Sequence, residues 1–392
     1  MTKKTILDLP EISGKTAFVT CDFNISLKNG QSVNNTRIEK ALPTLNYLLE
    51  KNCRLIISSH LGRPTGVDPQ FTLKPVAAAL SRLIKKSVHL LPDFWEKEAL
   101  PDIKKLKESK IILLENIRFH PGEKANDLDF SRHLSKMADF FVNDAFGASH
   151  RVHASTVGIA RFLPSVAGLL MDREIRMLTR AFKNPEKPLI VFIGGAKTPE
   201  KISVIEKLLE TANTVAMGGA IANTFLAAWG FGLGQSMVDY EMVEMARVVF
   251  WKATRIHSAL LLPVDVIVQN NGDQVVPKSV DFDRVPSGAT IYDIGPKTRK
   301  MYAQLIDKAK TLIWNGPMGF YENKNFRKGT DELLRKFAAS AAFSIVGGGD
   351  TLSCLNKKEY FDKISHVSTG GSAMLEFINK GTLPGIEVLE DK

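Results

Sequence analysis

The chain is poor in cysteine, and the three it has, Cys21, Cys53 and Cys354, are odd in number and far apart. No paired Cys or Cys/His spacing occurs, so neither a disulfide framework nor a structural zinc site is encoded, and a reducing compartment is expected. No apolar run nears the ~18 residues of a membrane span. The opening Met1-Thr2-Lys3-Lys4-Thr5 lacks a following signal-peptide core, and a cytoplasmic protein is the expectation. Also missing are a Ser/His/Asp or Cys/His nucleophile arrangement, an internal repeat, and the basic–aromatic interleaving of a nucleic-acid binder.

What is present fits two cored domains: 392 residues, 44% of them hydrophobic. A net charge of +10 asks for an anionic partner. The arginines stand singly, which points to small phosphates, and the lysine-rich stretch 104–110 reads as a solvated helix face. Strand-like runs at 54–59, 111–115, 140–143, 189–193, 260–268, 312–314 and 343–346 alternate with amphipathic stretches such as 37–51. That alternation predicts an α/β fold with parallel sheets. Prolines 185 and 188 bracket a polar link after a helix at 172–182, which makes it the best domain boundary. The expected division is 1–171, a hinge at 172–187, a second domain at 188–377, and a tail at 378–392 packing back on the first.

Chemistry concentrates at the strand ends, where parallel sheets bind ligands. The first half ends its strands in polar and basic residues: Asp22-Phe23-Asn24, His60-Leu61-Gly62-Arg63, Arg118, and His150-Arg151, with Arg37 opening a helix. Guanidinium groups grip phosphate and carboxylate bidentately. His60 and His150 read equally as neutral structural donors, and Asp22 and Asn24 either as turn caps or as acceptors for a substrate hydroxyl. The second half ends its strands in glycine: Gly194-Gly195, Gly218-Gly219, Gly316 to Gly319, Gly347-Gly348-Gly349-Asp350-Thr351 and Gly370-Gly371. Glycines free backbone N–H groups to meet phosphate oxygens, and an adjacent aspartate suits a Mg²⁺ carried on a nucleotide. Lys197 and Lys201, four apart, fall on one face of a helix expected to begin after Gly195. Glu322 is a candidate for ribose hydroxyls. No side-chain base is needed where an ionised phosphate oxygen is the nucleophile.

Read in order, CDFNIS, SHLGRP, LLENIRFH, NDAFGASHRVHAS, IGGAKTPEKI, NGPMGFYE, GGGDT and SHVSTGG resemble the phosphoglycerate kinase family over essentially the full length. The resemblance implies two Rossmann-like domains joined by a hinge helix, and a monomer that closes by hinge bending. It implies reversible phosphoryl transfer from 1,3-bisphosphoglycerate to MgADP, giving 3-phosphoglycerate and MgATP. It places 3-phosphoglycerate on Asp22, Phe23, Asn24, Arg37, His60, Leu61, Gly62, Arg63, Arg118 and Arg151. The nucleotide falls to Gly194, Gly195, Lys201, Gly219, Glu322 and Gly347–Thr351, with Asp350 toward Mg²⁺. Arg37, Lys197 and the amides of Gly348 and Gly371 would surround the transferred group.

The chain departs from the family pattern at Thr20 and Cys21, where arginine is usual, thinning the expected basic patch. It also departs at Ser26, at Ser372 and Met374, and at Ile291, a branched side chain in place of a glycine near the base. A weakly catalytic binding protein and a nucleic-acid binder are the rival classes.

Overall fold

A computed structural model describes residues 2–28, 31–32, 34–96, 110–195, 199–256, 258–270, 277–354 and 358–392. The chain divides into two compact units, one running to Arg176 and completed by Thr382–Lys392, the other Met177–Gly381. Among the described residues no helix is long and apolar enough to cross a membrane.

The first unit contains β1 (Thr16–Thr20), β2 (Leu27–Lys28), β3 (Gln31–Ser32), β4 (Arg54–Ser58), β5 (His89–Leu91), β6 (Ile111–Leu114), β7 (Phe140–Asn143) and β8 (Ser165–Ala167). Six of these form one sheet in the order β5-β6-β4-β1-β7-β8, every pairing parallel. Its strands are nearly unbroken apolar runs because helices cover both faces: all four residues of β6 are buried. The helix Thr36–Glu50 lays Ile38, Ala41, Leu45 and Leu48 on the core at helical spacing. Each such buried leucine or isoleucine contributes roughly 1.5–3 kcal/mol.

The closing residues belong to this unit. Lys4 N donates to Glu390 O at 2.8 Å and Glu390 N to Ser165 O at 2.9 Å. Asn143 Nδ2 donates to Gly385 O at 2.8 Å.

The second unit contains β9 (Leu189–Ile193), β10 (Thr214–Met217), β11 (Ala259–Leu261), β12 (Asp265–Asn270), β13 (Lys278–Asp281), β14 (Ala289–Ile294), β15 (Thr311–Asn315), β16 (Phe343–Gly347) and β17 (His366–Val367). Its parallel sheet runs β11-β10-β9-β15-β16-β17, and β13-β12-β14 form a small antiparallel sheet. Phe192, Trp314, Tyr302 and Phe337 fill the core beneath it.

Two sequence expectations are corrected. The run 260–268 is two strands in two different sheets, broken where Pro263 has no N–H to give a ladder. The helix expected at 172–182 begins earlier, spanning Leu169–Lys183. Its added first turn is capped from outside: Asp144 Oδ1 accepts from Leu170 N at 3.0 Å and Met171 N at 3.1 Å. After Gly195 a helix spans Pro199–Leu209, with proline in its first turn, and carries Lys201. Lys197 and residues 104–109 lie outside the described residues.

Candidate active site

Parallel strands send all their following loops to one edge of a sheet. In the first unit the adjacent strands β6, β4, β1 and β7 precede Arg118, Arg63, Asp22–Asn24 and Arg151 respectively. Arg37 joins them from the first turn of helix Thr36–Glu50.

Asp22 pairs through Oδ2 with Arg37 Nη1. Burial pushes its carboxyl up, the Arg37 guanidinium pulls it down, and the net pKa lies below the ordinary value. His60 is buried, which drives its imidazole to about 3, with Asp22 opposing and the surrounding arginines assisting. It is therefore a neutral donor or acceptor, not a charge switch.

Arg118 is 4% exposed. Its Nη1 donates to Gly62 O at 2.7 Å, and its Nε finds no acceptor among the described residues. Burial and the charge of Arg151 bring its pKa down to about 10, which leaves it cationic. Burial and then Arg63 likewise lower Arg151. These shifts record guanidinium groups close enough to repel one another, a positive field in want of an anion.

Asn24 Oδ1 accepts from Gly62 N at 2.9 Å and ties two of the loops together. The side chains of Phe23 and Leu61 belong to the core. Thr20 and Cys21, expected to thin the patch, are also buried, Thr20 Oγ1 donating to Ser155 O at 2.7 Å.

Glycine turns follow five adjacent strands in the second unit, β10, β9, β15, β16 and β17. Gly219, at φ +63°, donates its amide to Met318 O at 2.8 Å. A β-carbon there would stand 2.6 Å from Gly195 N. One on Gly371 would stand 2.6 Å from Gly348 Cα, so these turns meet backbone to backbone. Lys201 Nζ donates to Gly194 O at 2.8 Å; burial lowers its pKa while Asp350 works against that shift. Gly349 and Asp350 are exposed. Thr351 is buried, and its hydroxyl accepts from Gly316 N at 2.7 Å, which steadies the loop after β15. Met374 is buried under Gly347 and Ser372 is exposed. Nothing in the structure explains Ser26.

A cavity of about 740 Å³ runs from Gly195 and Gly219 past Ile291 and Phe320 to Glu322 and Asp350. It joins an apolar wall to a glycine floor with carboxylates at its end. Ile291 lines it, its N donating to Ser236 Oγ at 2.8 Å.

Sequence reasoning missed two buried acids. Glu123 accepts from Ser155 N at 2.9 Å and Ser155 Oγ at 2.8 Å, bracing the segment that follows Arg151. Asp293, at the end of the antiparallel sheet, is the other. Neither carries a local signal, because Ser155 lies 32 residues from Glu123 and Gly329 lies 36 residues from Asp293.

A guanidinium-lined edge on one parallel sheet and a glycine-lined edge on another define a small-molecule phosphotransferase. The phosphoglycerate kinase family profile matches residues 6–380. The enzyme of that name from Borrelia garinii subsp. bavariensis is 44% identical over 392 residues, covering 100% of both chains. That of Moorella thermoacetica is 44% identical with the same full coverage. The solved phosphoglycerate kinase of Coxiella burnetii superposes with a TM-score of 0.85 at 38% identity, covering 98% of each chain. That of Pyrococcus horikoshii OT3 gives 0.84 at 32% identity, covering 99% of this chain and 98% of its own.

The chain belongs to the phosphoglycerate kinase family. Its activity is the reversible transfer of a phosphoryl group between 1,3-bisphosphoglycerate and ADP, a step of glycolysis.

Proposed function

We propose that the first unit takes 3-phosphoglycerate on Arg37, Arg63, Arg118 and Arg151, with His60, Asp22 and Asn24 orienting it. The second unit takes MgATP or MgADP along the cavity from the glycine turns to Glu322. The observation that carries this reading is the contrast between the two sheet edges. One offers several guanidinium groups whose pKa shifts show mutual repulsion, and the other offers backbone with almost no side chains. A compact polyanion suits the first, and a nucleotide whose phosphates approach main-chain N–H groups suits the second.

Asp350 is the metal-facing group in this reading. Among the described residues no cluster of three or more His, Cys, Asp or Glu could hold an ion alone. That fits Mg²⁺ arriving on the nucleotide, since it keeps most of its waters and takes one carboxylate with phosphate oxygens. On the substrate side Arg37, and on the nucleotide side Lys197 with the amides of Gly348 and Gly371, neutralise the moving charge, which is the main work of phosphoryl-transfer catalysis. Residues 1–171 with 378–392 serve the substrate, 188–377 the nucleotide, and 172–187 link them. The enzyme acts as a cytoplasmic monomer on these small molecules, with neither membrane nor nucleic acid as a partner.

A coupled assay with 3-phosphoglycerate, ATP and Mg²⁺ is expected to show turnover that requires all three. Asp350→Asn is expected to weaken MgATP binding about tenfold and metal-free ATP far less. Equal losses with and without Mg²⁺ would remove Asp350 from the metal. Absence of turnover with 3-phosphoglycerate would overturn the substrate assignment.

A further inference from the structure

Asp293, next to last in β14, is 3% exposed. Its Oδ2 accepts from Gly329 N at 2.7 Å and its Oδ1 from Ile294 N at 2.9 Å. Gly329 lies in the first turn of the helix Lys328–Ala339, whose own cap residue, Arg327, makes no side-chain capping bond. Asp293 thus supplies from a strand the acceptor that the helix start lacks.

The same carboxylate packs on Gly319, where a β-carbon would collide with it. Beside it Phe320 N donates to Tyr292 O at 2.7 Å, and Met318 N to Thr330 Oγ1 at 3.0 Å. Tyr292 stacks on Phe326 with ring centroids 4.5 Å apart. The cavity wall from Met318 to Glu322 is therefore hung between the end of β14 and the start of helix Lys328–Ala339.

We propose that Asp293 is a positioning residue that sets nucleotide affinity by holding this wall in place. The proposal rests on reading the cavity as the nucleotide site. An ionised carboxylate accepts both N–H groups, whereas a neutral carboxyl turns one oxygen into a hydroxyl and grips the wall less well. Burial raises the pKa to about 7; the N–H groups of Gly329 and Ile294 and the charge of Arg299 pull it down, and Asp331 pushes it up. Arg299 belongs to helix Pro296–Lys308 and pairs with Glu332 at 2.7 Å, and Asp331 pairs with Arg327 at 2.7 Å. Nucleotide affinity is then greatest above about pH 7 and falls as the acid is protonated.

Calorimetry of MgADP and of 3-phosphoglycerate on the full chain tests this at pH 8 and pH 6. For Asp293→Asn at pH 8, the Kd for MgADP is expected to rise about tenfold, the effect of losing one charge-assisted hydrogen bond. The Kd for 3-phosphoglycerate should stay within about twofold. The gap between wild type and variant should shrink at pH 6, a ratio that cancels the titration of the nucleotide itself. Thr330→Val loosens the same wall without touching the acid and should weaken MgADP by a few-fold with a gap that does not change with pH. Equal MgADP affinity of wild type and both variants at pH 8 would overturn the proposal, as would losses shared equally by the two ligands. Failure of the wild type itself to bind MgADP would instead overturn the nucleotide reading beneath it.

Discussion

The two parallel sheets have the same strand count and nearly the same shape of order, yet one edge is lined with guanidinium side chains and the other with glycine backbone. In the first unit the groups on offer are guanidinium forks placed after β4, β6 and β7 and at one helix start. In the second, glycine at five adjacent strand ends brings the turns together backbone to backbone. The difference teaches how each site can be damaged. A side-chain site loses affinity when atoms are removed. A backbone site has little to remove and is damaged when atoms are added.

Gly219→Ala is the strongest test of that contrast. Its φ of +63° and the 2.6 Å approach to Gly195 N leave no room for a methyl group. Strain of about 3 kcal/mol corresponds to a loss on the order of 10²-fold in kcat/KM for nucleotide. Binding of 3-phosphoglycerate, measured calorimetrically, should be unchanged; a nucleotide site indifferent to the added methyl would end the backbone reading.

Arg151→Ala should do the converse. Losing one charge-assisted contact costs roughly 1.5–3 kcal/mol of 3-phosphoglycerate affinity, on the order of ten- to a hundredfold, with nucleotide affinity kept. An unaltered substrate Kd would show that the guanidinium cluster serves another purpose.

Each unit also holds a buried acid whose pKa burial raises, and here the two are alike. Burial raises both Asp144 and Asp293 to about 7 from 3.8. A carboxyl raised on folding favours the native state while protonated, so its contribution is lost as pH climbs from about 4 to about 7. Asp144→Asn keeps the oxygen that accepts from Leu170 and Met171 while removing the buried charge. Its melting temperature at pH 8 should exceed that of wild type by about 3 °C, and the difference should vanish near pH 4. An equal shift at both pH values would assign the effect to packing instead.

The smallest effect concerns the base. Ile291→Gly removes a branched wall of the cavity and is expected to sharpen the preference for ATP over GTP by about two- to threefold. Identical preference in the two proteins would place the base elsewhere.

Much of this was legible in the residues. Glycine runs and single arginines at the ends of apolar strands are local signals, so both edges could be read from 21–24, 59–63 and 347–351 directly. The antiparallel sheet was not, because β12 is only six residues long and follows Pro263 closely, hiding its change of partner. Nor could the start of helix Leu169–Lys183 be placed, since its cap, Asp144, lies 26 residues before Leu170. Burial and non-local acceptance give Asp144, Glu123 and Asp293 their roles, and neither property is written at one position. The core placement of Thr20 and Cys21 was missed for the same reason.

The discontinuity of the first unit has a consequence for how the protein is made. Residues 382–392 belong to it, yet they are synthesised after the whole of 177–381. Asn143 cannot donate to Gly385, nor Gly385 to Ser149 O at 2.9 Å, until 382–392 have emerged from the ribosome. Asn143 and Ser149 flank the turn that leads to Arg151. A nascent chain can therefore complete 177–381 while the turn that leads to Arg151 still lacks its brace, so the emergence of 382–392, not the appearance of the first sheet, marks the moment at which the proposed phosphoglycerate edge is complete.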